Sequence, residues 1–244
     1  MAGQEPGAQA EPSPHRPIRS YVRRGGRLTR AQARALDELL PRYGVAAEQG
    51  VLDWEAVFGD RRPVVIEVGF GNGETLAAMA AAEPEYNFLG IEVHRPGIGH
   101  LLLQLEQQGL DNVRVTEGDA FEVLRDQVPR GSVHAIRVFF PDPWPKKRHQ
   151  KRRLVQAPFA RLAACCLKPG GALHLATDWQ PYADDMLAVL DAEPALVNAT
   201  GAGCFSPRPA SRPVTRFEHR GCERGHRVRD LLYRRVEIPD AAAD

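Results

Sequence analysis

Five times between residues 63 and 193, a short apolar run gives way to a segment of helical spacing. No other feature restricts the fold as tightly. The pairs are PVVIEV (63–68) with the Ala-rich stretch GNGETLAAMAAAEP, NFLGIEV (87–93) with HLLLQLEQQ, NVRVTEGD (112–119) with FEVLRDQ, SVHAIRVFF (132–140) with PFARLAACCL (158–167), and ALHLATD (172–178) with PYADDMLAVLDAE. Strands that alternate with helices pair in parallel, because each helix carries the chain back across the sheet. The expectation is a doubly wound α/β sheet. KPGG (168–171) reads as a turn before the fifth strand. Strand-like material near ALVNAT and RDLLYRRVEI closes the chain without a final helix.

The flanks are simpler. Residues 1–27, rich in Gly, Ala, Pro and Arg, read as a disordered basic tail. Residues 28–60 form a helical extension, with one helix over LTRAQARALDELLPRYG (28–44) stopped by Pro41. The domain proper spans 61–238, and 239–244 is a tail. No stretch approaches the ~20 apolar residues of a membrane span, and the N-terminus lacks the apolar core of a secretory signal. Cys165, Cys166, Cys204 and Cys222 form no C-x-x-C pair, so they read as buried reduced thiols of a cytosolic protein.

Net charge is only +1, yet the charges are clustered. KKRHQKRR (146–153) holds six Lys/Arg in eight positions, Arg208 to Arg235 carries nine arginines, and Arg16, Arg19, Arg23, Arg24, Arg27 and Arg30 precede the domain. Such patches suit a polyanion better than a neutral metabolite.

Three strand ends carry the features of a nucleoside pocket. The first strand runs into Gly69, Gly71 and Gly73, where the backbone can approach a ligand. Glu92 ends the second strand, about 20 residues on, where a carboxylate can bind both ribose hydroxyls. Asp119 follows the third strand and can accept from an adenine amino group; an acid at a helix start is the plainer alternative. The order G-F-G-N-G is not the G-x-G-x-x-G of dinucleotide enzymes, so the cofactor need not bear a pyrophosphate. Glu67, just before the loop, could face the amino group of a methionine moiety, or be a structural carboxylate. The fourth strand ends in VFFPDPWPKKRHQKRRLVQ (138–156). Pro141 and Pro143 stiffen the backbone around Asp142, Trp144 offers a stacking surface, and the basic run follows at once.

These landmarks (EVGFGNG, GIEVHRPG, EGDA, FFPDPWPKKRHQKRR, ATDWQPYA and RPVTRFEHRG) resemble those of the bacterial tRNA (guanine-N7-)-methyltransferases over about residues 60 to 237. The resemblance implies a Rossmann-like class I S-adenosylmethionine-dependent methyltransferase, with a mostly parallel sheet and a late antiparallel strand. It implies a cytoplasmic enzyme, monomer or homodimer, that methylates guanine 46 in the tRNA variable loop. Glu67, Gly69, Gly71, Gly73, Glu92, Asp119 and Asp142 would bind the cofactor, with Asp142 also catalytic. Lys146, Asp178, Thr215, Arg216, Phe217 and Glu218 would contact the substrate, and Arg148, His149, Gln150, Lys151, Arg152 and Arg153 the tRNA. Two positions depart from the family's pattern: Arg216 stands where a lysine is expected, and Arg229 where an aromatic is expected.

Guanine N7 has a lone pair and no proton, so methylating it needs no general base. It needs alignment with the methyl donor and a fixed negative charge beside the purine as positive charge arrives. Asp142 is the first candidate for that charge and Asp178 the second, Asp178 being otherwise a helix cap. Glu218 could accept from the base's amino group. The eight histidines have no paired spacing, and no metal site is expected. Competing readings are a methyltransferase acting on another RNA, an inactive RNA-binding relative, and a nicotinamide oxidoreductase. The glycine spacing opposes the last.

Overall fold

The computed structural model describes residues 20–21, 26–45, 50–214, 218, 225 and 227–237. The order is α1 (Arg30–Glu38), α2 (Leu40–Tyr43), α3 (Trp54–Phe58), β1 (Val64–Val68), α4 (Glu74–Ala82), β2 (Asn87–Glu92), α5 (Arg95–Gln108), β3 (Val113–Glu117), α6 (Ala120–Asp126), β4 (Val133–Phe139), a 3-10 helix (Lys147–Arg152), α7 (Ala157–Cys166), β5 (Leu167–Thr177), α8 (Gln180–Asp191), β6 (Leu196–Asn198) and β7 (Arg229–Arg235). The seven strands lie in the order β3-β2-β1-β4-β5-β7-β6. The first five run parallel, and β7 enters antiparallel between β5 and β6. This is the expected doubly wound sheet with its late antiparallel strand.

The order reverses between β1 and β4, which opens a crevice at their C-terminal ends. Every residue of β1 is buried, as a central parallel strand requires. Val64, Ile66 and Val68 face one core layer, with α3, α6, α7 and α8. Val65 faces the other, with α1, α4 and α5. By the same alternation Glu67 points toward the second layer.

Two local expectations change. Pro41 does not stop the first helix; α1 already ends at Glu38, and Pro41 opens the short α2, where its missing N–H is not needed. KPGG belongs to β5, whose pairing with β4 shifts register between Val133 and Ala135 around a left-handed Gly170. The helical extension shares the main core. Ala35, Leu36 and Tyr43 are buried with α5, and Val45 N–H donates to the Val115 carbonyl at the β3 edge. Among the described cysteines only Cys166 is buried; Cys204 is exposed, against the expectation of buried thiols. No helix among the described residues is long and apolar enough to cross a membrane.

Candidate active site

The glycine loop that follows β1 is shaped by close packing. Gly69, Gly71 and Gly73 have φ of 72°, 59° and 78°, left-handed values that side chains rarely adopt. A Cβ on Gly97 of α5 would stand 2.0 Å from the Gly71 carbonyl oxygen. Glycine at 97 therefore lets α5 press against the loop. The Glu92 side chain holds the other flank. One oxygen accepts from Gly71 N–H at 2.8 Å, and the other from Val93 and His94 N–H at 2.7 and 3.0 Å. The carboxylate is thereby aimed by three backbone donors.

A cavity of about 390 Å³ opens here, at the reversal in strand order. Its walls are Val68, Gly69 and Gly71 after β1, Ile91 to His94 after β2, Gly118 and Ala120 after β3, and Phe139 to Asp142 after β4. Ser20 and Tyr21 complete it from the N-terminal side, along with Leu154. Neither Ser20, Tyr21 nor His94 was singled out from the sequence; nothing in a polar tail signals that it returns to a distant pocket.

Glu67 immediately precedes this wall and is 3% exposed. Burial pushes its carboxyl up to about 8, opposed by nearby Arg137 and helped by Glu92. Its Oε2 has no hydrogen-bond partner in the described structure. Arg137, opposite Glu67 in the sheet, is committed to Glu83 at 2.9 Å. Asp119 caps α6, accepting from Phe121 N–H at 2.9 Å, which is the plainer role allowed for it. Asp142 is exposed and lies in the cavity wall. Asp178 follows β5 on the same sheet edge but does not cap α8, whose cap residue is Trp179. Lys146 is exposed at the start of the 3-10 helix.

The basic run splits by its period. In a 3-10 helix residues three apart eclipse. Arg148 and Lys151 both face solvent. His149 and Arg152 both pack on Trp144, the ring of His149 edge-on at 6.0 Å and the Arg152 guanidinium 4.6 Å from the indole centre. The indole is thus partly covered by protein, and its Nε1 donates to the Ser20 carbonyl at 3.1 Å. It offers less stacking surface than the sequence promised. Gln150 is half-buried. Arg153 turns fully inward and corrects its assignment to tRNA. It is 4% exposed, donates to the Pro143 carbonyl at 2.9 Å, pairs with Asp185, and lies over the Tyr182 ring.

The C-terminal arginines also divide. Arg212 is buried between Glu218 and Asp230, so Glu218 accepts from a guanidinium inside the protein. This replaces the expectation that Glu218 stands free for a base. Burial alone would raise the Asp230 carboxyl, but hydrogen bonds from His174 and Arg212 hold it below the usual carboxylate range. Arg229, the residue in place of an aromatic, lies over the Phe205 ring and donates to Gln180 at 2.8 Å. Thr215, Arg216 and Phe217 lie outside the described residues.

A family model described as "Putative methyltransferase" matches residues 61–231. A protein of Alkalilimnicola ehrlichii named tRNA (guanine-N(7)-)-methyltransferase is 57% identical over 92% of this chain and 95% of its own length. The chain belongs to the tRNA (guanine-N(7)-)-methyltransferase family. A second such relative, from Halorhodospira halophila, is 54% identical over 90% of this chain and 95% of its own. Among solved structures, the 16S rRNA methyltransferase KamB superposes with a TM-score of 0.56 at 16% identity, over 79% of this chain and 99% of that one. At that identity the likeness speaks to the fold alone, which this family member shares with that methyltransferase. Among the described residues no group of three or more His, Cys, Asp or Glu is placed to hold a metal.

Proposed function

We propose that the protein methylates N7 of guanine in tRNA, at guanine 46 of the variable loop, using S-adenosylmethionine bound in the cavity at the β1–β4 crevice. The observation that carries the reading is continuity. Asp142 in the cavity wall and the outward pair Arg148 and Lys151 stand on one short segment leaving β4. A small-molecule cavity and a surface for a polyanion therefore meet at a single carboxylate.

The residues present fit that cofactor. Glu67 keeps a buried oxygen without a partner, suited to a cationic amino group. Glu92, aimed by three backbone donors, would take the ribose hydroxyls, and Asp119, between the lining residues Gly118 and Ala120, would take an adenine amino group. The left-handed glycines bring the backbone close to the ligand. When bound, S-adenosylmethionine supplies an electrophilic methyl group on a sulfonium. The protein's own work is then to orient and to stabilise. Phe139, Phe140 and Pro141 form an apolar stretch of the cavity wall that leads into Asp142. Asp142 sets a negative charge beside the purine as it becomes cationic, and no residue needs to remove a proton from N7. Asp178, Lys146, Thr215, Arg216 and Phe217 would hold the base and its neighbours. Arg148 and Lys151, with His149, Gln150 and Arg152 beside them, would take phosphates. A base held in folded tRNA must be exposed before this geometry can be reached.

Single-turnover methylation of tRNA transcripts tests the reading. A transcript with guanine at 46 should accept one methyl group, and the same transcript with adenine there should accept none. Asp142→Asn should slow transfer by about 10²–10³, the scale of one missing electrostatic stabiliser. Methylation of the adenine-46 transcript would move the target, and a near-normal rate for the asparagine variant would move the charge to Asp178.

A further inference from the structure

Arg212 is among the largest fully buried side chains, at 1% exposure. Its Nε and Nη2 donate to Asp230 at 2.7 and 3.0 Å, and its Nη1 and Nη2 to Glu218 at 2.6 and 3.0 Å. Asp230 also takes His174 Nε2 at 2.8 Å. Burying such a network is costly, and apolar side chains of similar volume often serve stability as well or better. What an apolar residue would not supply is a rigid charged plane. The guanidinium carbon lies 5.9 Å from the ring centre of Phe139 and 5.8 Å from that of Phe140, within the range of cation–π attraction.

Phe140 has φ of 52°, a left-handed value for a bulky residue. Such a conformation is strained and persists only where its surroundings hold it. Two contacts do so: Phe140 N–H donates to the Ala176 carbonyl at 2.7 Å, and the ring lies against Arg212. The next residue, Pro141, has its own φ fixed by its ring, and then comes Asp142. The conformation of Phe140 therefore sets the direction in which Asp142 enters the cavity.

We propose that Arg212 is a positioning residue for methyl transfer: clamped by Asp230 and Glu218, it holds Phe140 left-handed and so fixes Asp142 at the cavity wall. The proposal rests on the reading of Asp142 given above. It also gives Glu218 work to do through Arg212.

The test is a double-mutant cycle on the full-length protein, read as single-turnover rate at saturating tRNA and S-adenosylmethionine. Arg212→Lys keeps the charge but loses the planar fork. It should slow the wild-type protein about 10- to 100-fold by misplacing a catalytic group. Cofactor and tRNA affinities, measured separately, should stay within about three-fold, since the loss falls on the rate at saturation. In the Asp142→Asn background the same change should add less than about three-fold, because coupled residues are not additive. Equal slowing in both backgrounds would make Arg212 a residue of the fold alone and overturn the proposal. A normal rate for Arg212→Lys beside a slow Asp142→Asn would overturn it while leaving the Asp142 reading intact. A normal rate for Asp142→Asn would remove both. If Arg212→Lys does not fold, Phe140→Leu, which spares the ion network and removes the aromatic face, takes its place in the cycle. Coupling to Asp142 is again predicted, and additivity would again overturn the proposal.

Discussion

At the residue scale, Glu67 makes a prediction separate from catalysis. Its carboxyl is raised from an ordinary 4.5 to about 8 by burial. The folded protein thus holds this proton more tightly than the unfolded chain does. The linked stability is fully present below about pH 4.5 and is lost as pH rises toward about 8. Glu67→Gln cannot ionise, so without cofactor it should be more stable than wild type at pH 9, on the order of 2–4 kcal/mol, and equal to it near pH 4. Urea unfolding at the two pH values checks this; an equal gap at both would mean that Glu67 is not desolvated. The same variant should bind S-adenosylmethionine more weakly. Residue identities of this kind were legible where a strand end fixes them: Glu92, the glycines and Asp142 stand where the pattern placed them. Arg212 and Arg153 were not. A count of positive charges cannot distinguish an arginine that faces a phosphate from one that a buried carboxylate has drawn inward.

At the scale of elements, the 3-10 helix shows why the basic run misled. Residues 148–153 read as one surface, but the period of three over Lys147–Arg152 turns Arg148 and Lys151 outward and His149 and Arg152 onto Trp144, and Arg153 just after it is buried. Replacing Arg148 and Lys151 with alanine should weaken binding to all tRNAs alike and flatten the slope of log affinity against log salt, by about 0.7–0.9 for each phosphate no longer neutralised. Replacing Arg153 should instead lower the unfolding temperature, since it leaves Asp185 and the Pro143 carbonyl without their donor. Fluorescence titration over a range of salt, with thermal melts beside it, separates the two; an unchanged salt slope for the double variant would make that face merely solvated. The packing of α5 on the glycine loop makes a third case. Gly97→Ala must displace Gly71, so urea unfolding should show a loss of about 1–3 kcal/mol, the usual cost of overpacking, and calorimetry should show weaker cofactor binding. Unchanged affinity would show that the loop shifts freely.

For the whole molecule, the alternation of strands and helices was enough to place the parallel sheet and its crevice, while the closing antiparallel strand followed only from the family resemblance. It did not show that the segment before residue 61 belongs to the same body. Short helices with few apolar residues look like an appendage, and their partners lie on α5 and β3, far along the chain. Deleting residues 1–45 should strip Leu36 and Tyr43 from the core and cost about 3–6 kcal/mol, at about 1.5–3 for each large side chain. A urea midpoint equal to that of the full chain would show the extension to be independent. The atom that receives the methyl group is identified by incubating the full-length protein with unmodified bulk tRNA and methyl-labelled S-adenosylmethionine, digesting the RNA to nucleosides and finding the labelled one. Label is expected in 7-methylguanosine alone; label in any other nucleoside, or none with folded protein at saturating substrate, would show that guanine N7 is not the acceptor.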